Sequence, residues 1–121
     1  MLQPTPDHPI AIAPNPQRVR VVFKGRVVAD TRSALTLQES KLPPVHYVPR
    51  QDADMSVMTR TEHRTHCPYK GDASYYTVRV DGNEAVNAAW SYEAPNAAVA
   101  QIAGYLAFYP DRVDAVEELA D

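Results

Sequence analysis

A chain of 121 residues has room for one domain around one core and too little for two of ordinary size. Its 45% hydrophobic and 22% charged residues are a globular rather than a disordered composition. A net charge of -3, with 12 Lys and Arg dispersed along the chain, argues against nucleic acid as a partner. The single cysteine excludes an intramolecular disulfide and a cysteine-rich zinc site, and predicts a reducing, cytoplasmic setting. Residues 1–16 contain neither a basic nor an apolar leader region, and no apolar run approaches the length of a bilayer span, so neither secretion nor a membrane partner is expected.

Residues 1–17 hold Pro4, Pro6, Pro9, Pro14 and Pro16, which forbid helix and predict an extended arm. Such an arm lies over the domain surface or pairs with a second subunit in a homo-oligomer. Residues 18–23 alternate as a strand, Lys24 and Gly25 turn, and residues 26–30 return as the second strand of a hairpin. Residues 34–39 and 45–49 read as two short strands parted by Pro43-Pro44, whose prolines place them at sheet edges or strand ends. Asp52 or Asp54 caps a single helical turn ahead of Met58, and the polar, β-branched stretch 59–65 is a further strand.

Residues 74–80 alternate strictly, with Tyr76, Val78 and Val80 on one face and Tyr75, Thr77 and Arg79 on the other. Asp81-Gly82-Asn83 turns this strand into a partner over 84–90. Pro95-Asn96 opens a helix over 97–103 closed by Gly104, residues 105–109 form a last strand, and 113–119 form a short terminal helix. The sum is a mainly β, β-rich α+β domain over 1–121, antiparallel, with one or two short C-terminal helices.

The chemistry concentrates in Thr65-His66-Cys67-Pro68-Tyr69-Lys70-Gly71, a turn that carries the only cysteine beside a tyrosine and a lysine. Cys67 becomes a nucleophile if His66, Lys70 and Arg64 converge to lower its pKa; otherwise it is a small buried residue closing a turn. Lys70 before Gly71 is similar to the lysine of a phosphate-binding turn, without the further glycines, the Ser or Thr and the helix of a P-loop. Solvated turn lysine is the alternative. Arg50 clamps a carboxylate or phosphate, or else ties down the acidic loop of Asp52 and Asp54. Glu39, Asp54 and Glu93 are candidate acids, although each alone is more often a surface or capping residue.

Tyr47, Tyr69, Tyr75, Trp90 and Tyr92 offer flat apolar faces with one polar handle, suited to lining a pocket or to knitting sheets together as core. Tyr75, on the non-valine face of its strand, fits the pocket role, and Trp90 the core. No metal is expected: His63 and His66 stand three apart on a strand and diverge, while Asp52-x-Asp54 is the only tight acidic pair outside the tail.

His8-Pro9-Ile10, Gly25 with Val28-Ala29-Asp30, Glu39, Tyr47-Val48-Pro49-Arg50, Asp54, Cys67 to Gly71 with Ala73 and Tyr75, Ala89-Trp90-Ser91-Tyr92 with Pro95, and Ala107-Phe108-Tyr109 occur in that order. This series resembles the bacterial and fungal family catalogued as domain of unknown function 427, over nearly the whole chain. The resemblance implies two small antiparallel sheets of the β-tent kind, and a nucleotidyltransferase activity that rests on the family's label alone. The chain departs from tent-like zinc proteins by lacking paired Cys-x-x-Cys ligands.

Two function classes follow. In the first, the chain binds a small anionic or nucleotide-like ligand beside the Cys67–Gly71 turn. Lys70 and Arg50 hold the anionic group, Tyr69, Tyr75, Tyr92 and Trp90 line the pocket, and Cys67 or Glu39 with Lys70 takes part in chemistry. No cofactor is legible. In the second, it is a non-catalytic structural or assembly module in which the same residues maintain the fold.

Overall fold

Alternation of valine and arginine builds the first hairpin. In β2 (Arg18–Phe23), Val19, Val21 and Phe23 turn into the core, while Arg18 and Arg20 stay half-exposed. The chain reverses at Lys24 and Gly25, both with positive φ (51° and 75°), a turn whose twist matches that of the strands it joins. It returns as β3 (Arg26–Thr31), and Arg18 reaches across to form a two-pronged ion pair with Asp30. Asp81 and Gly82 repeat the device (φ 51° and 80°) between the two strands β7 (Gly71–Val80) and β8 (Asn83–Ser91).

The computed structural model describes residues 1–120 and contains three antiparallel sheets. Strand β1 (Ile10–Pro14) pairs with β4 (Leu35–Glu39), which pairs with β5 (Val45–Tyr47). A second sheet has β2 at its centre, between β3 and β10 (Ala115–Leu119). The largest runs in the order β6 (Met58–Cys67), β7, β8 and β9 (Ala107–Phe108). None of the helices in the described residues is long and apolar enough to cross a membrane.

Mainly antiparallel β architecture therefore stands, with corrections. There are three sheets rather than two, and the expected C-terminal helices are absent from the described residues. Residues 115–119 form β10, paired with β2 so that Glu117 lies opposite Arg20 and ion-pairs with it at 3.0 Å. Good helix formers are overruled here because a free edge of β2 offers five paired positions and an opposite charge. Ala97–Ile102 winds as 3-10 helix, broken at Val99 (φ -123°), because six residues give too little α-helix to repay its nucleation. Val99 and Ile102 anchor it in the core. The strand expected over 105–109 shrinks to β9.

Asp54 does cap a 3-10 turn, Met55–Val57, its side chain accepting from the Ser56 backbone N–H at 3.1 Å. In the proline-rich N-terminal stretch, β1 joins β4 in a register that places Ile10 opposite Glu39, and Pro14, at the strand's end, opposite Leu35.

Strand β7 feeds two cores. Tyr76, Val78 and Val80 pack with Val19, Val21, Val28 and Phe23 into the first. Ala73 and Tyr75 point the other way and pack with Leu37, Tyr47, Tyr92, Val99 and Ile102 into the second. Both faces of a central strand are covered, so its sequence alternation marks which core each residue enters rather than inside against outside.

Candidate functional site

The second core is incompletely filled. A pocket of about 150 Å³ opens within it, lined by Leu37, Glu39 and Leu42 of the β4 region, Val45 and Tyr47 of β5, Lys70 of the β6–β7 turn, and Tyr75, Trp90, Tyr92 and Tyr109. Its walls are largely aromatic. Trp90 and Tyr109 lie 4.5 Å apart between centroids and tilted by 41°, Tyr75 and Tyr109 are near-parallel at 6.5 Å, and Tyr47 meets Trp90 edge-on at 6.4 Å.

Three segments converge on a carboxylate at its polar end. Glu39, the last residue of β4, is only 8% exposed. One of its oxygens accepts from the ammonium of Lys70, and the other bonds His8 Nε2 at 2.7 Å. Burial would raise the Glu39 pKa, but the hydrogen bonds from Lys70 and His8 outweigh it and hold the carboxyl below its ordinary value. Lys70 Nζ also lies 5.8 Å from the centroid of the Tyr92 ring. His8 stacks on Tyr69 at 4.0 Å and 13°, which orients its imidazole toward Glu39.

The turn that presents Lys70 is fixed from two sides. Leu2 N–H donates to the Pro68 carbonyl at 2.8 Å, and Asn96 binds the carbonyls of Pro68 and Lys70. Gly71, opposite Cys67 in the ladder, has φ +107°, and a Cβ there would come within 3.3 Å of Asn96 Oδ1. Only glycine takes this position without strain.

The tyrosines divide by hydrogen bonding. Tyr75 shares hydroxyl contacts with Thr65 (3.0 Å) and Tyr109 (3.2 Å), and burial, followed by the bond from Tyr75, pushes the Tyr109 phenol up to about 12. Burial drives the Tyr47 and Tyr92 phenols higher still, so all three are neutral donors at physiological pH. Tyr92 is 6% exposed, and no hydrogen bond among the described residues uses its hydroxyl. Among the described residues no sealed side-chain oxygen or nitrogen lacks a partner, so this hydroxyl is not fully sealed, and Tyr92 is one of the residues that line the pocket.

Glu39, Lys70, Tyr75, Trp90 and Tyr92, singled out from sequence, are thus brought together. Arg50, Cys67 and Tyr69 are not among the lining residues. Arg50 donates to the Gly104 carbonyl (3.1 Å), the Tyr76 hydroxyl (3.1 Å) and Ser91 Oγ (3.3 Å), and faces Glu93 at 4.0 Å, so three of its five N–H donors serve its own fold. Tyr69 is the platform under His8. Cys67 is half-buried against the second core, while Lys70 turns to Glu39, and His66 to Asp72 at 2.7 Å.

The Asp52-x-Asp54 carboxylates have separate partners: Asp52 accepts from Thr31 Oγ1 (2.7 Å), and Asp54 pairs with Arg26 (2.5 Å) while capping Ser56. Among the described residues no three His, Cys, Asp or Glu side chains cluster in a way that would hold a metal ion. Tyr109 and His8 were missed as site residues, although both fall in the short motifs, Ala107-Phe108-Tyr109 and His8-Pro9-Ile10, that carry the family resemblance.

Fold and site together define a small three-sheet β domain with a tyrosine-walled pocket closed at one end by a Lys–Glu–His cluster. The family model described as domain of unknown function (DUF427) matches residues 11–119, and the chain belongs to that family. Comparison with curated proteins found no match.

Proposed function

We propose that the protein binds a small, flat, neutral ring with a polar edge, of the nucleobase or aromatic-amide kind, in the pocket of the second core. The observation that carries this is Tyr92, a residue only 6% exposed that lines that pocket and whose hydroxyl bonds no other described residue. A ligand acceptor at that point gains a hydrogen bond that the protein itself leaves unmade.

Size and charge support the same class. A cavity near 150 Å³ takes one six-membered ring and not a whole nucleotide. Lys70 and Glu39 stand side by side, so they offer a donor beside an acceptor with no net charge, and Glu39 repels a phosphate as much as Lys70 attracts one. The aromatic walls stack on a ring face. An anionic or nucleotide ligand is thereby narrowed to its ring.

Isothermal titration calorimetry of the full chain with uracil, cytosine, nicotinamide and benzamide tests the proposal. At least one ring is expected to bind, with an affinity about tenfold lower in Tyr92→Phe, the worth of one hydrogen bond. Silence from every ring, or equal affinity in wild type and variant, rejects it.

A second reading, the structural or assembly module, is favoured by Arg50, which ties Tyr76, Ser91 and Gly104 together. Subunit pairing through the proline-rich arm belongs to that reading. Deleting residues 1–9 and measuring mass in solution tests it, an unchanged mass counting against the arm.

A further inference from the structure

A second cavity adjoins the ring pocket. It is a groove of about 500 Å³ that shares Leu42, Pro43, Val45, Trp90 and Tyr109 with the pocket. Pro44, His46, Phe108, Pro110 and Val116 line the groove alone. With five shared residues the two cavities are one continuous surface, and the Trp90 and Tyr109 side chains belong to both.

The chemistry changes along that surface. The pocket carries Lys70, Glu39 and the tyrosine hydroxyls, whereas His46 is the only titratable side chain other than Tyr109 in the groove. His46 is already engaged on both nitrogens, Nδ1 with Thr36 Oγ1 at 2.9 Å and Nε2 with Glu118 Oε1 at 3.3 Å. Arg112 lies over the Tyr109 ring at 4.2 Å and donates to the Asn87 carbonyl, so it is not a lining residue. Nothing in the groove is built to receive a phosphate. Its rim is preset by Pro43, Pro44 and Pro110, and Leu42 stands 54% exposed at the junction.

Resting on the ring-binding reading above, we infer that the ligand carries an uncharged apolar substituent, aryl or alkyl, that runs from the ring into this groove. The ligand is then amphiphilic: its polar ring edge meets Tyr92, Lys70 and Glu39, and its apolar part covers Phe108, Val116 and the prolines. The volume of the groove lies in the range of small-molecule sites, and its rigid walls give up little entropy on binding. The extension of a nucleotide, a charged sugar phosphate, is excluded on the same grounds.

Calorimetry with three probes that share one ring separates the possibilities: uracil, 1-benzyluracil and uridine 5′-monophosphate. The benzyl compound is expected to bind at least tenfold tighter than uracil, and the monophosphate no tighter than uracil. A Pro44→Asp/Pro110→Asp variant alters two exposed residues that line only the groove. It should erase the benzyl gain and leave uracil affinity unchanged. Equal affinities of uracil and 1-benzyluracil, a monophosphate that binds tighter than the benzyl compound, or a gain that survives in the variant would each overturn the inference while the ring reading stands. Binding of neither uracil nor 1-benzyluracil, repeated with nicotinamide and N-benzylnicotinamide, rejects the ring reading along with it.

Discussion

The two cores of this domain are built on opposite faces of one strand, and they differ in what fills them. The first is Val19, Val21, Val28, Val78 and their neighbours, almost fully excluded from solvent and without an ionic member. The second joins Tyr47, Tyr75 and Tyr92 to an open pocket and borders a buried Lys70–Glu39 pair. A core whose only task is stability packs densely with apolar groups. One that retains a cavity, an ion pair and an unused hydroxyl gives up packing, and that contrast is what the proposed ring site rests on.

The largest expected effect breaks the second region. Glu39→Ala leaves Lys70, 12% exposed, without its counter-charge and should cost about 3 kcal/mol in chemical denaturation. The same carboxylate gives a pH signature. Its pKa is lowered in the folded state, so its contribution is complete above the ordinary value of 4.5 and is lost as pH falls through the lowered native value. The stability of Glu39→Gln should therefore fall less steeply than that of wild type below pH 4.5.

Next, Val21→Ala opens a void in the sealed core and should cost about 2 kcal/mol with ring affinity unchanged. Arg50→Ala removes donors from Tyr76, Ser91 and Gly104 at a half-exposed site, at about 1 kcal/mol, again without effect on the ring. Loss of ligand binding in Arg50→Ala would erase the distinction between the two regions. The smallest effect is the sharpest: Tyr92→Phe removes a hydroxyl that bonds nothing in the protein, so stability should move by less than about 0.5 kcal/mol while ring binding weakens. A stability loss well above that would mean the hydroxyl supports the fold.

Much of the local structure was legible. The Lys24-Gly25 and Asp81-Gly82 turns, the Asp54 cap and the division of Tyr75 from Tyr76 follow from rules acting over two to four residues. At the site, sequence singled out the lining residues Glu39, Lys70, Tyr75, Trp90 and Tyr92 by residue type, yet could not say that Lys70 meets Glu39, 31 residues away, or that His8 stands on the far side of the same carboxylate. Arg50 looked as suited to an anion as Lys70 did. What separated them was the neighbours that tertiary packing brought to each guanidinium or ammonium group.

By itself, then, the sequence determined a mainly β architecture, its hairpins, the two faces of β7 and membership of its family. Tertiary structure decided the rest: three sheets instead of two, β10 as strand where composition favoured helix, and one pocket from residues of β4, β5, β7, β8 and four connecting segments. The reason is one of range. Periodicity and capping are energies between near neighbours in the chain, whereas sheet edges, buried ion pairs and cavities are settled by which distant segments compete for the same space.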